Sequence, residues 1–205
     1  VRKIYHCLFR LLIYMLGKST TVALSWCCLL LLSIGCVNVA AQAPPPGFAS
    51  VLVSNQWNEV VGLTFTSDGA TMFVWERGGR VYTVTNGNRR LLLDISEEVG
   101  GWHDHGMLGF ALDPHFDVNG YIYLLYVVDR HHLMNYGTAL YNPGANEYFA
   151  ATIGRLTRFT VVPDLNGVYT VNPASRKILL GETKSTGIPI LSITHGVGSL
   201  VFGTD

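Results

Sequence analysis

The chain has 205 residues, of which 49% are apolar, and its 14 Lys and Arg balance 14 Asp and Glu. Four of the basic residues (Arg2, Lys3, Arg10, Lys18) and none of the acidic ones fall in residues 1–41, so residues 42–205 keep ten against fourteen, a net charge of −4. That excludes a nucleic-acid or anionic-membrane partner for this part, because such binding needs a basic surface that releases counterions. All four cysteines (Cys7, Cys27, Cys28, Cys36) also precede residue 42. No disulfide framework is therefore available beyond it, and stability has to come from a core.

Residues 1–41 read as a helical signal peptide. From Met15, a candidate true start, a short basic region with Lys18 precedes an apolar stretch from Val22 to about Val37, followed by small residues at Val39, Ala41 and Ala43. Cleavage after Ala41 is preferred, because cleavage after Ala43 would put Pro44 next to the cut. Two alternatives stay open: an uncleaved signal anchor, since the run is close to spanning length, and lipidation at Cys36, although Ser33 stands where such a site wants Leu. The expected location is periplasmic or secreted. Residues 42–48, with Pro44-Pro45-Pro46-Gly47, read as a stiff extended spacer.

Residues 49–205 read as all-β. Short β-rich runs are punctuated by Asp68-Gly69, Gly78-Gly79, Asn86-Gly87, Asn119-Gly120 and Asn166-Gly167, dipeptides that tolerate positive φ and suit tight hairpins. The strands expected between them are Met72–Trp75, Arg80–Thr85, Arg90–Asp94, Tyr121–Val128, Arg155–Val162 and Lys177–Leu180. A repeat runs through them: Leu63-Thr64-Phe65-Thr66-Ser67-Asp68, then Gly109-Phe110-Ala111-Leu112-Asp113-Pro114, then Leu200-Val201-Phe202-Gly203-Thr204-Asp205. The spacing is 47 residues from Leu63 to Phe110 and 90 from Phe110 to Leu200. A four-stranded propeller blade takes about 40–50 residues, and His131 to Ala151, rich in Asn, Tyr, Gly and Pro, supplies the excess as an inserted loop. The expectation is a truncated β-propeller: about two blades plus the first strand of a third. An all-β sandwich is the competing architecture.

Four groups of residues invite a chemical reading. His195 follows an apolar stretch (Ile188–Ile193), is flanked by Gly196 and Gly198, and precedes the third repeat. The glycines open space beside an imidazole that can accept a hydroxyl proton near neutral pH. Taken alone, a histidine at a strand start is more often a hydrogen-bonded packing residue. His103 and His105, in Gly101-Trp102-His103-Asp104-His105-Gly106, would share one face of an extended segment, as metal ligands can. No third ligand is evident, so a substrate-lining loop is preferred and no metal ligand is assigned. His131 and His132 read as loop residues. Gly181-Glu182-Thr183-Lys184-Ser185 lacks the glycine spacing of a phosphate-binding loop. Asp117-Val118-Asn119-Gly120 fails as a calcium loop, because His115 and Tyr126 would fill its end positions, and reads as a hairpin turn.

Several blocks together resemble the glucose/sorbosone dehydrogenase family, the soluble pyrroloquinoline-quinone-dependent sugar dehydrogenases. They are Trp75-Glu76-Arg77-Gly78-Gly79-Arg80-Val81, Gly106-Met107-Leu108-Gly109-Phe110-Ala111-Leu112-Asp113-Pro114-His115-Phe116, Asn119-Gly120-Tyr121-Ile122-Tyr123 and His195-Gly196-Val197-Gly198-Ser199-Leu200, in family order. The resemblance implies a six-bladed propeller of which less than half is present. It also implies an aldose dehydrogenase in which His195 takes the proton of the anomeric hydroxyl while hydride passes to a quinone polarised by calcium. Asp104 and Thr194 match residues lining the sugar pocket; Thr194 stands where glucose-oxidising members have an acidic residue. The resemblance puts the calcium ligands and most quinone contacts beyond Asp205, and implies a small-molecule sugar and an external electron acceptor as partners. Two other propeller classes compete: a non-catalytic binding module of the hedgehog-interacting type, disfavoured by the cysteine-free segment, and a calcium-dependent lactonase type, disfavoured by the His195 motif.

Overall fold

The computed structural model describes residues 43–148 and 150–204, so the expected signal peptide at 1–41 lies outside the described residues. Two compact units are separated at Val51 and Leu52. In the first, the proline-rich run is not a straight spacer. Phe48 N–H donates to the Pro45 carbonyl at 3.0 Å and Gly47 takes φ 89°, the geometry of a tight turn with glycine at its third position.

The second unit, Leu52 onward, holds two antiparallel sheets. The first contains β1 (Val60–Phe65), β2 (Thr71–Glu76), β3 (Arg80–Thr85) and β4 (Asn88–Asp94), paired in sequence order. The second contains β5 (Met107–Leu112), β6 (Tyr121–Val127), β7 (Thr152–Pro163) and β8 (Tyr169–Leu180), again in order, with β9 (Ile188–Ile190) pairing the start of β7. Four strands meandering in sequence order is the form of a propeller blade. Each expected strand is present; β4, β7 and β8 begin earlier than their apolar content indicates, because ladder hydrogen bonds extend through Asn88, Thr152 and Tyr169. The anticipated strand at Leu200 has no ladder partner among the described residues.

The repeat has a physical cause. In both complete copies the aspartate after the strand turns the chain by accepting a backbone N–H two residues on: Asp68 Oδ1 from Ala70 at 3.0 Å and Asp113 Oδ1 from His115 at 2.9 Å. Asp113 also accepts from Asn119 Nδ2 and the Tyr123 hydroxyl, both at 2.9 Å. Burial pushes the Asp113 carboxyl up, and these hydrogen bonds outweigh it, leaving it below its ordinary value. The Asn119-Gly120 hairpin turn is in fact the end of a helical turn, α1 (Phe116–Asn119), with Gly120 in the left-handed region at φ 64°.

The core lies between the sheets. Alternation along β6 buries Ile122, Leu124 and Tyr126 on one face. From β2, Phe73 and Trp75 meet Phe110 of β5, with ring centroids 5.9 and 5.1 Å apart. Into this apolar layer the connection after β4 inserts one carboxylate, Glu98, 6% exposed. It accepts from Tyr126 Oη at 2.6 Å, from Arg155 Nη1, and from Arg176 Nη2 at 2.7 Å on both oxygens. Burial and then the neighbouring carboxylate push the Tyr126 phenol far above its ordinary value. For Arg176, burial pulls downward and Glu98 more than offsets it.

The inserted connection between β6 and β7 contains a short helix, α2 (Arg130–Asn135), so His131 and His132 are helical rather than loop residues. Asp129 caps it, accepting from His132 N–H at 3.2 Å. The His132 ring stacks on Tyr136 and lies 3.0 Å from the Tyr141 hydroxyl, which donates to Glu97 at 2.7 Å.

Two outcomes follow from these buried groups. Glu98→Ala leaves two guanidiniums without their carboxylate and should lower stability by about 3–5 kcal/mol, read from denaturant unfolding midpoints. Burial lowers the His132 pKa from its ordinary value of 6.5. The unfolded chain therefore takes up that proton first, and the contribution of His132 is present above about pH 6.5 and lost as pH falls below it. Unfolding midpoints of wild type and His132→Gln, followed from about pH 7 to pH 5, should show wild type losing stability more steeply.

Candidate functional site

Two loops meet at the end of the second sheet where β5 begins and β6 finishes. The first, residues 101–106, follows directly from the Glu98 connection, whose Val99 bridges Val128 and whose Gly100 N–H donates to the Val127 carbonyl at 2.9 Å. Arg77, from the turn between β2 and β3, braces it. Its guanidinium is bidentate to Glu59, at 2.6 and 3.2 Å, and donates to the His103 carbonyl. The Arg77 carbonyl in turn accepts from Met107 N–H at 2.8 Å. Gly106 makes that approach feasible: its φ is 135°, and a Cβ there would sit 2.6 Å from the Arg77 carbonyl oxygen.

Within this loop the two histidines part company. His105 N–H donates to the Trp102 carbonyl at 2.9 Å, so the segment turns rather than extends. His103 and Asp104 remain exposed, while His105 is 1% exposed, with the Trp102 ring 5.0 Å away. The His105 Nε2 lies 2.9 Å from the Ser192 carbonyl. A shared metal-ligand face for His103 and His105 is thus absent, and among the described residues no group of three or more His, Cys, Asp or Glu could hold a metal ion.

The second loop, residues 191–198, follows β9. Thr194 and His195 are exposed. Thr194 Oγ1 pairs with Ser192 Oγ at 2.9 Å, and Thr194 N–H donates to the same oxygen at 3.3 Å, so the loop is closed by its own polar groups. Val197 is buried with Val127 and Ile190 beneath it, and Phe202 reaches Tyr123 edge-on at 5.1 Å. Between exposed His195 and buried Val197, Gly196 passes so closely that a Cβ would lie 2.9 Å from the Asp104 carbonyl oxygen and 3.3 Å from His105 Cδ2.

The structure therefore brings the segments carrying Asp104, Thr194 and His195 together, with all three side chains open to solvent. Sequence reasoning missed Arg77 and Glu59 as the brace and His105 as the link to the second loop. The Arg77 signal was available, since it lies inside the Trp75-Glu76-Arg77-Gly78-Gly79 block. Nothing in the spacing distinguished His105 from His103. The guanidinium that reaches this loop is committed to Glu59 and the His103 carbonyl.

Gly106→Ala should strain the backbone and push against the Arg77 carbonyl, costing about 1–3 kcal/mol. Denaturant unfolding checks the loss, and faster hydrogen exchange at the Met107 amide checks that it originates at this turn.

A family model described as Glucose / Sorbosone dehydrogenase matches residues 57–162, just over half of the chain. No curated protein matches. Among solved structures, the chain is similar to a Thermus thermophilus protein described as a putative oxidoreductase (glucose dehydrogenase), at 21% identity and TM-score 0.37, covering 62% of this chain and 31% of that one. It is similar to the PQQ-bound aldose sugar dehydrogenase of Streptomyces coelicolor at 17% identity and TM-score 0.42, with the same coverage. It is also similar to the soluble aldose sugar dehydrogenase of Escherichia coli in its apo form, at 18% identity and TM-score 0.41, covering 60% and 29%. The chain spans about a third of the length of these structures. By the match over residues 57–162, the chain belongs to the glucose/sorbosone dehydrogenase family.

Proposed function

We propose that this chain contributes the sugar-facing base of an aldose dehydrogenase. One observation carries the reading: Gly196 passes against the Asp104 carbonyl, setting the exposed side chains of Asp104, Thr194 and His195 at one end of the second sheet. Oxidising the anomeric carbon of an aldose to a lactone removes two electrons and two hydrogens. The hydroxyl hydrogen leaves as a proton and the carbon-bound hydrogen as hydride. Hydride departs readily only if the oxygen gives up its proton, so a base has to stand within hydrogen-bond reach of that oxygen. His195 is the exposed imidazole of this loop, and proton acceptance at a ring nitrogen is its part in the reaction. Asp104 and Thr194 provide hydrogen-bond partners for the sugar hydroxyls, Thr194 through a hydroxyl rather than a carboxylate.

Pyrroloquinoline quinone, implied by family membership, supplies a two-electron hydride acceptor when bound, with an external acceptor to reoxidise it. Among the described residues no group of three or more His, Cys, Asp or Glu could hold a metal ion, and quinone and calcium are both assigned to the whole protein from membership alone. The leader reading places the protein in the periplasm or outside the cell. No helix among the described residues is long and apolar enough to cross a membrane. Nothing in the fold or the comparisons favours the non-catalytic binding module.

The test is His195→Gln in the whole protein, reconstituted with quinone and followed by dye reduction over a panel of aldoses. Turnover should fall by about 10²–10⁴-fold, the usual worth of a general base, while quinone binding and the unfolding midpoint hold. Near-normal turnover would return His195 to an ordinary surface residue.

A further inference from the structure

We infer that His105 is a positioning residue for the loop that carries His195, acting through the Ser192 carbonyl. The inference rests on the reading of His195 as base, but its geometry stands independently. A carbonyl oxygen can only accept, so the 2.9 Å contact requires the hydrogen to sit on His105 Nε2. The other ring nitrogen, Nδ1, is buried with no hydrogen-bond partner among the described residues. The hydrogen bond that this nearly inaccessible ring makes among the described residues is therefore the one to Ser192.

That bond reaches across 87 positions of sequence. Beyond it, residues 191–198 are tied mainly by their internal Ser192–Thr194 hydrogen bonds and by Val197 in its apolar seat. Neither constrains the direction in which the Thr194-His195 segment leaves the sheet. The His105 bond does, because it fixes the chain three residues before His195, while the ring edge of the same side chain limits Gly196 one residue after it. His195 is therefore held between two points set by one imidazole. A displacement of about 1 Å at a reacting group can change rate by about two orders of magnitude, so such a clamp matters to turnover.

Side-chain geometry offers a discriminating experiment. Glutamine presents an amide N–H at about the reach of Nε2, asparagine at about the reach of Nδ1, and leucine fills the space with no donor. In the chain itself, hydrogen exchange at the Thr194 amide, which donates to Ser192 Oγ, should rise roughly fivefold to tenfold in His105→Asn and His105→Leu, the equivalent of one lost net hydrogen bond, and return towards wild type in His105→Gln. In the quinone-loaded whole protein, kcat should follow the same order while KM for the sugar changes less. If His105→Leu does not fold, the Gln and Asn pair decides. Wild-type exchange in a folded Asn or Leu variant, or a Gln variant no better than Asn, would overturn the positioning role. So would raised exchange with unchanged kcat. If no variant, wild type included, oxidised any aldose, the enzymatic reading would fall while the exchange result would still decide whether His105 holds the loop.

Discussion

A carboxylate inside an apolar layer has to be answered by cations and hydrogen-bond donors, and the way Glu98 is answered determines how the two sheets join. Its donors come from three successive strands of the second sheet: Tyr126 of β6, Arg155 of β7 and Arg176 of β8. Glu98 itself belongs to the connection leaving the first sheet. The same stretch adds backbone bonds, Asp129 N–H to the Glu98 carbonyl at 2.8 Å and Gly100 N–H to Val127. A buried pair of this kind adds little net stability compared with apolar packing, and is costly to break. Its consequence here is registry: the crossing chain has one place where the Glu98 carboxylate meets its donors from all three strands.

The candidate site hangs from that crossing. Residues 101–106 start immediately after the anchored segment, and Arg77 reaches across from the first sheet to hold the His103 carbonyl. The loop is thus fixed from both sheets, so the position of Asp104 depends on how the sheets join. The second loop has no comparable brace of its own. It borrows order from the first, through the His105 ring, the close pass of Gly196 and the apolar seat of Val197. Stability in the crossing and geometry at His195 are therefore linked through a short chain of contacts. The aromatic cluster on the β6–β7 insertion, with His132, Tyr136 and Tyr141, touches the same crossing from the other side through Glu97.

Much of this architecture is local and so was open to reading from sequence. Alternation in β6, the β-branched content of β3 and the glycine-containing turns specify strands and hairpins without reference to anything distant. The repeat was legible because Asp68 and Asp113 do the same local work, each turning the chain after its strand. The family blocks were legible for a related reason, since glycines such as Gly106 and the Arg77 turn impose narrow backbone requirements. Even there, local signals were incomplete: Asn119-Gly120 looks like a hairpin turn, and only packing of Phe116 into the core makes it the end of a helical turn.

By itself, then, the sequence determined an all-β chain of blade-like meanders, the position of the insertion, and a short set of polar residues from which a site could be drawn. Tertiary structure decided which of them meet. His103 and His105 are indistinguishable by spacing, yet one is exposed and the other is buried against a carbonyl 87 positions away. Glu98 looks like any acidic residue in a loop until three strands supply its partners. The physical reason is the same in each case. Strand and turn preferences are set by neighbours a few residues apart, whereas burial, charge compensation and loop direction depend on contacts that exist only once the two sheets have packed.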